Sequence, residues 1–150
     1  MFEKILYPTD FSDASKEALD YVKQLKEAGA KEVVVLHVID DREIPAFLGP
    51  DEGALISGMQ LEKIITMMEE SAKEEARATA AELKKSGFDV KVRIEKGIPF
   101  RDILRVEEEE GVSVIVIGSH GKSVVKEMLL GSVSETVMRK SRKPVLVIKR

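Results

Sequence analysis

The sequence predicts a doubly wound α/β domain: a parallel sheet of five strands in the order 3-2-1-4-5, with helices on both faces. Short β-branched runs alternate strictly with longer stretches of helical periodicity, as βαβ units do. Three of the runs, VVVLHVI, VSVIVI and VLVI, are nearly unbroken in apolar residues, the character of strands covered on both faces. Parallel neighbours need crossover connections, and the intervening helical stretches supply them.

The elements follow in chain order. Phe2 to Tyr7 is the first strand. Residues 13 to 28 place Ala14, Ala18, Tyr21, Val22 and Leu25 at helical spacing, and Gly29 stops them. Val33 to Ile39 is the second strand. Residues 40 to 58, with Pro45, Pro50, Gly49 and Gly53, form a long irregular loop, either a lid over a site or an insertion that delays the next helix. That helix spans residues 59 to 86 and aligns Leu61, Ile64, Ile65, Met68, Ala72, Ala76, Ala80 and Leu83 on one stripe. Val90 to Ile94 alternates polar with apolar, so the third strand is an edge with one wetter face. Pro99 opens a third helix whose Phe100, Ile103, Leu104 and Val106 face inward. Glu107 to Glu110 closes it, where the helix dipole disfavours acids, and reads as a solvated, frayed end. Val112 to Ile117 and Val145 to Ile148 are the last two strands. No linker or internal repeat interrupts the pattern, so residues 1 to 150 read as one domain.

Composition excludes several chemistries. The chain carries 24 Lys and Arg against 27 Asp and Glu, a net charge of −3, which is not that of a generally cationic nucleic-acid binder. Bases gather near the C-terminus, at Arg139, Lys140, Arg142, Lys143, Lys149 and Arg150, without the interleaved aromatics that stack on bases. The absence of cysteine removes disulfides, thiolate metal sites and cysteine nucleophiles. The two histidines, His37 and His120, do not suffice for a histidine-rich metal site. No apolar run approaches the ~20 residues of a membrane span, and Met1-Phe2-Glu3-Lys4 begins no signal peptide, so the expected location is cytoplasmic.

In a doubly wound sheet, ligands settle beyond the strand carboxyl ends where the order reverses, here between the first and fourth strands. The first ends Tyr7-Pro8-Thr9-Asp10-Phe11-Ser12, and the fourth ends Gly118-Ser119-His120-Gly121. Gly118 and Gly121 allow backbone N–H groups to approach an anion closely. Ser132 and Glu135 fit the S-x-x-E capping box, which makes Ser132 the expected N-cap of the last helix. A helix N-terminus is a ready phosphate site. Either feature alone is ordinary structural chemistry; together, at the switch point, they describe a polyphosphate cradle. It is not a P-loop, because Val116 stands where that motif requires its first glycine. Nor does G-x-G-x-x-G follow the first strand.

Gly118-x-x-Gly121, nine residues, then Gly131-Ser132 resembles the G-x2-G-x9-G-[S/T] motif of the universal stress protein family, in particular its ATP-binding branch. ILYPTDFSDAS, KGIPFRDIL and LLGSVSETVMRKSRKPVLVIK extend the resemblance over essentially the whole chain. The resemblance implies an adenine nucleotide alpha hydrolase-like fold. It also implies ATP, or ADP or AMP, as ligand, with Mg2+ or Mn2+ bound through the phosphates rather than by protein side chains. By position, Pro8, Thr9 and Asp10 would shape the adenosine part of the pocket, and the Val38 backbone would address the adenine edge. Gly118, Ser119, His120 and Gly121 would wrap ribose and phosphates; Gly131, Ser132, Val133 and Ser134 would present donors to the phosphates. His120 is either a phosphate contact or an exposed loop histidine, whereas His37 reads as a satisfied core residue. Lys122, Ser123 and Lys126, in the variable nine-residue stretch, could touch the terminal phosphates, but the lysines read as solvated surface.

The expected function is an ATP-binding stress-response or regulatory module that addresses a protein partner. The alternative is a slow Mg-dependent ATP hydrolase or an ATP-using transferase. Phosphoryl transfer needs neutralising cations and a group that orients the nucleophile. The sequence offers Asp10 and Lys122, but neither a second carboxylate near the phosphate loop nor the H-x-G-H or S-G-G-x-D-S signatures of adenylate transfer. The last strand, Pro144 to Ile148, lacks the polar alternation of an exposed edge, so pairing with its copy in a homodimer is expected.

Overall fold

The computed structural model describes residues 1–43, 58–120 and 130–149. The strands are β1 (Lys4–Pro8), β2 (Glu32–Asp40), β3 (Asp89–Gly97), β4 (Val114–Gly118) and β5 (Val145–Ile148). The helices are α1 (Asp13–Gln24), α2 (Gly58–Lys85), α3 (Pro99–Glu110) and α4 (Ser132–Lys140). All strand pairs are parallel, and the sheet runs β3-β2-β1-β4-β5, with β3 and β5 at its edges.

Side chains alternate across the strands and feed two cores. Ile5, Tyr7, Val33, Val35, Val114 and Val116 meet Ala18, Leu19 and Val22 of α1 and Leu83 of α2. Leu6, Val34, Leu36, Ile115 and Ile117 meet Ile103 and Val106 of α3 and Val137 of α4. The unbroken apolar runs follow from this arrangement, since both strand faces are buried. Burying Tyr7 also pushes its hydroxyl pKa up to about 12, and that hydroxyl donates to the Ser15 carbonyl within α1.

Ser12 caps α1, its hydroxyl accepting the Ser15 N–H at 3.3 Å. The helix expected over residues 13 to 28 tightens into a 3₁₀ turn at Leu25–Ala28 before Gly29 reverses it at φ 98°. α2 presses Ala72, Ala76, Ala80 and Leu83 against the sheet, a spacing of four or three that stacks small residues on one face. Pro99 takes the first turn of α3, and Gly111 ends it at φ 61°.

The acidic run at the end of α3 is ordered by partners rather than frayed. Glu107 is buried and accepts the Lys143 N–H at 3.1 Å and the Ser141 hydroxyl. Glu110 pairs with Lys91 at 2.7 Å, Arg93 at 3.1 Å and Lys4 at 3.4 Å. Glu109 bridges Arg93 at 2.9 Å and Arg105 at 2.8 Å. The Arg105 guanidinium holds the Glu109 carboxyl below the usual range, and Lys91 does the same for Glu110. The cations of β1 and β3 thus offset an unfavourable helix dipole. Among the described residues, no helix is long and apolar enough to cross a membrane.

Candidate functional site

The site forms where β1 separates from its neighbours. β1 shares five rungs with β2, from Lys4↔Glu32 to Pro8↔Leu36, but with β4 only Ile5↔Val114 and Leu6↔Ile115. Beyond Pro8 the chain turns through Thr9, Asp10 and Phe11, and side chains lock that turn. The Thr9 N–H donates to the Leu36 carbonyl at 2.8 Å, and the Thr9 hydroxyl accepts the Phe11 N–H at 3.0 Å. Asp10 Oδ1 accepts the Ser12 N–H at 3.0 Å and the Ser15 hydroxyl at 2.9 Å, which ties the carboxylate to the start of α1. Phe11 adopts φ 62°, a strained value for a residue with a side chain, and its ring stacks on His37 at 4.7 Å. His37 Nδ1 lies 2.8 Å from the Thr9 carbonyl; a carbonyl only accepts, so Nδ1 carries the hydrogen.

On the other side, the end of β4 and the start of α4 are joined. Ser134 Oγ donates to the Gly118 carbonyl at 2.7 Å, and the Gly131 N–H donates to the Ser119 carbonyl at 2.7 Å. The Ser119 N–H reaches Ile148 O on β5 at 2.8 Å, and its Oγ contacts His120 Nδ1 at 2.7 Å. The N-cap of α4 is Gly131, at φ −72° and ψ 158°, not Ser132. The expected capping box does not form, because Ser132 is already helical and Glu135 turns to Arg139 instead. With glycine at the cap, no side chain competes for the first-turn N–H groups of α4.

These parts enclose a cavity of about 550 Å3, within the range of small-molecule sites. It is lined by Pro8, Thr9, Asp10 and Val38, by Gly118 and His120, and by Gly131, Ser132, Val133 and Ser134. Ser119 is fully buried behind the wall, where it braces His120 rather than lining the cavity. Gly121, Lys122, Ser123 and Lys126 lie outside the described residues, as does most of the loop expected over residues 40 to 58.

The cavity also includes groups that sequence reasoning did not assign to it. His37 is satisfied, as expected, but it is half-buried and stands in the cavity wall. Asp40 and Arg42 form a two-pronged pair at the rim, with contacts of 2.9 and 2.7 Å, and the guanidinium holds the Asp40 carboxyl below its usual range. Ile64, Met67, Met68 and Glu75 come from α2, which turns one face to the cavity between residues 64 and 75. A length argument exposes this: 28 residues of helix span about 42 Å, whereas nine residues of β2 span about 30 Å. The helix must therefore overhang the sheet.

A model of the universal stress protein family matches residues 1–149. Universal stress protein MJ0577 of Methanocaldococcus jannaschii is 47% identical, over 100% of this chain and 96% of its own. Its solved structure, described as a structure-based assignment of biochemical function, superposes with a TM-score of 0.88 at 45% identity, covering 100% and 97% of the two chains. Universal stress protein YxiE of Bacillus subtilis is 35% identical, over 99% of this chain and 100% of its own. A universal stress protein solved in complex with cAMP shares the fold, at 23% identity and a TM-score of 0.65, over 99% and 97% of the chains. With its strand order, its glycine motif and these matches in agreement along its whole length, the chain belongs to the universal stress protein family.

Proposed function

We propose that this protein is an ATP-binding regulatory module whose nucleotide occupancy sets the surface it shows to a protein partner. The observation that carries the reading is the joining of three parts in one cavity: the β2 backbone at Val38, the carboxylate of Asp10, and the glycine-capped start of α4. The first suits a base edge, the second a sugar, the third a chain of phosphates. A relative of the same fold is seen with cAMP, so the architecture accommodates an adenine nucleotide. ATP would bring Mg2+ or Mn2+ on its phosphates, and ADP or AMP would use the same base and sugar contacts.

ATP hydrolysis is the second reading, favoured by one observation. His120 is oriented by Ser119 beside the start of α4, where an imidazole could hold a water. Mass spectrometry of ligand released from purified protein, followed by a single-turnover incubation with ATP and Mg2+, separates the two. Retained, unhydrolysed ATP supports the module, and ADP formation lost in Asp10→Asn or His120→Gln supports the hydrolase. Gly131→Ala combined with Ser132→Ala is expected to weaken ATP binding in a folded protein; unchanged calorimetric affinity would refute this site.

A further inference from the structure

The β1–β2 ladder stops for a specific reason. In a parallel ladder, alternate residues turn their N–H and C=O to the same neighbour. Leu36 faces β1 and receives the Thr9 N–H, so Val38, two residues on, faces the same side. The next rung would run from the Val38 N–H to the Thr9 carbonyl, and from the Phe11 N–H to the Val38 carbonyl. Neither bond forms. The Thr9 carbonyl is taken by His37 Nδ1 at 2.8 Å, and the Phe11 N–H by the Thr9 hydroxyl at 3.0 Å. The stacked rings of Phe11 and His37 close this brace, and the strained φ of 62° at Phe11 is the conformation it holds. Two side chains have thus displaced one rung of backbone pairing, and that rung lies at the wall of the cavity.

We propose that His37 and Thr9 are positioning residues that hold the β1–β2 fork open and so reserve the Val38 donor and acceptor for the ligand's base, setting its specificity. This rests on the nucleotide reading above. A strand residue facing an open fork presents an N–H beside a C=O. That pair matches a 6-aminopurine, which offers a ring-nitrogen acceptor next to an amino donor. A 6-oxopurine reverses both groups, leaving two unpaired polar atoms on each side, so it is rejected. Specificity for adenine over guanine therefore depends on side chains that need not touch the base.

Four proteins test this: wild type, His37→Phe, His37→Asn and Thr9→Val. His37→Phe keeps a ring to stack on Phe11 but removes the donor to Thr9. His37→Asn places its amide nitrogen where Nδ1 stood. Thr9→Val removes the hydroxyl at constant shape, and it guards against misfolding of the first variant. Calorimetry with ATP and GTP is expected to show roughly tenfold weaker ATP binding and a smaller ATP-over-GTP ratio in His37→Phe and Thr9→Val. His37→Asn is expected to recover most of both. In the ligand-free protein, amide exchange at Val38 should be fast in wild type and slower in His37→Phe, where its N–H can take the vacated Thr9 carbonyl. An unchanged ATP-over-GTP ratio in folded His37→Phe and Thr9→Val, or a Val38 amide in wild type as protected as its ladder neighbours, would overturn the proposal. Failure of wild type to bind either nucleotide would instead overturn the nucleotide reading, and the amide exchange would still decide whether the fork is held open.

Discussion

Gly118→Ala tests how tightly the two sides of the cavity are clamped. A Cβ built on Gly118 stands 2.9 Å from the carbonyl carbon and oxygen of Ala14 and 3.1 Å from the Ser15 nitrogen. Carbon atoms are comfortable at about 3.5 Å, so α1 must retreat by roughly half an ångström. All three atoms are backbone, and no rotamer change relieves them. The start of α1 is also anchored: Tyr7 donates to the Ser15 carbonyl, the Ser15 hydroxyl is held by Asp10, and Ser12 caps the helix. Overpacking against so fixed a target costs about 1–3 kcal/mol. For a domain of 150 residues each kcal/mol lowers Tm by about 2–4 °C, so a fall of several degrees is expected. Urea unfolding gives the direct measure, with a lower midpoint at unchanged slope. Because Asp10 is bonded to the same Ser15, the ATP binding proposed above should weaken in parallel. A midpoint equal to wild type would refute the claim that β4 and α1 leave no room for a methyl group.

Glu110→Gln should flatten the acid limb of stability. Its folded pKa is depressed by Lys91 and Lys4, so its contribution is present above the ordinary carboxylate range and lost as pH falls through and below that range; urea midpoints should converge with wild type on acidification. Gly97→Ala places a Cβ 2.5 Å from Asp102 Oδ2, a buried oxygen with no hydrogen-bond partner among the described residues, and should destabilise by about 1–3 kcal/mol. Adding Asp102→Ala should recover part of that loss, and strictly additive unfolding energies would show that the two residues do not meet. Leu146, 38% exposed on the edge strand β5, should hold a homodimer through that strand; sedimentation should give twice 16.7 kDa for wild type and a monomer for Leu146→Lys.

Most of the fold was legible because its signals are local. The apolar run Val145 to Ile148 coincides with β5, the alternation of β3 marks it as an edge, and Pro99 and Gly29 mark turns that their backbone chemistry demands. The order of the acidic run is not legible from α3 alone, because its partners are remote in sequence. Lys4, Lys91 and Arg93 come from β1 and β3, and a pattern local to α3 shows four acids against a dipole and nothing to offset them. The capping box failed by a single residue, since glycine at the cap lets the helix begin at Ser132. In α2 one stripe served two purposes. Ala72, Ala76 and Ala80 pack on the sheet, while Ile64 and Met68, on the same stripe but beyond the strand ends, line the cavity.

The same reasoning explains why the cavity sits on this side of β1. A parallel sheet buried on both faces has no interior vacancy, so a cavity must come from departures at the strand ends. Here three departures coincide. β1 and β4 part after Leu6↔Ile115, the β1–β2 ladder is diverted at Thr9, and α2 runs past the end of β2. The first is dictated by topology, because α1 and α4 start on opposite faces at the switch point. The second is dictated by the side chains of Thr9 and His37, and the third by helix length. A change confined to any one of them should reshape part of the cavity and leave the rest standing. On the proposed nucleotide reading, phosphate contacts should thus respond to the start of α4, base selection to His37 and Thr9, and cavity depth to Ile64 and Met68.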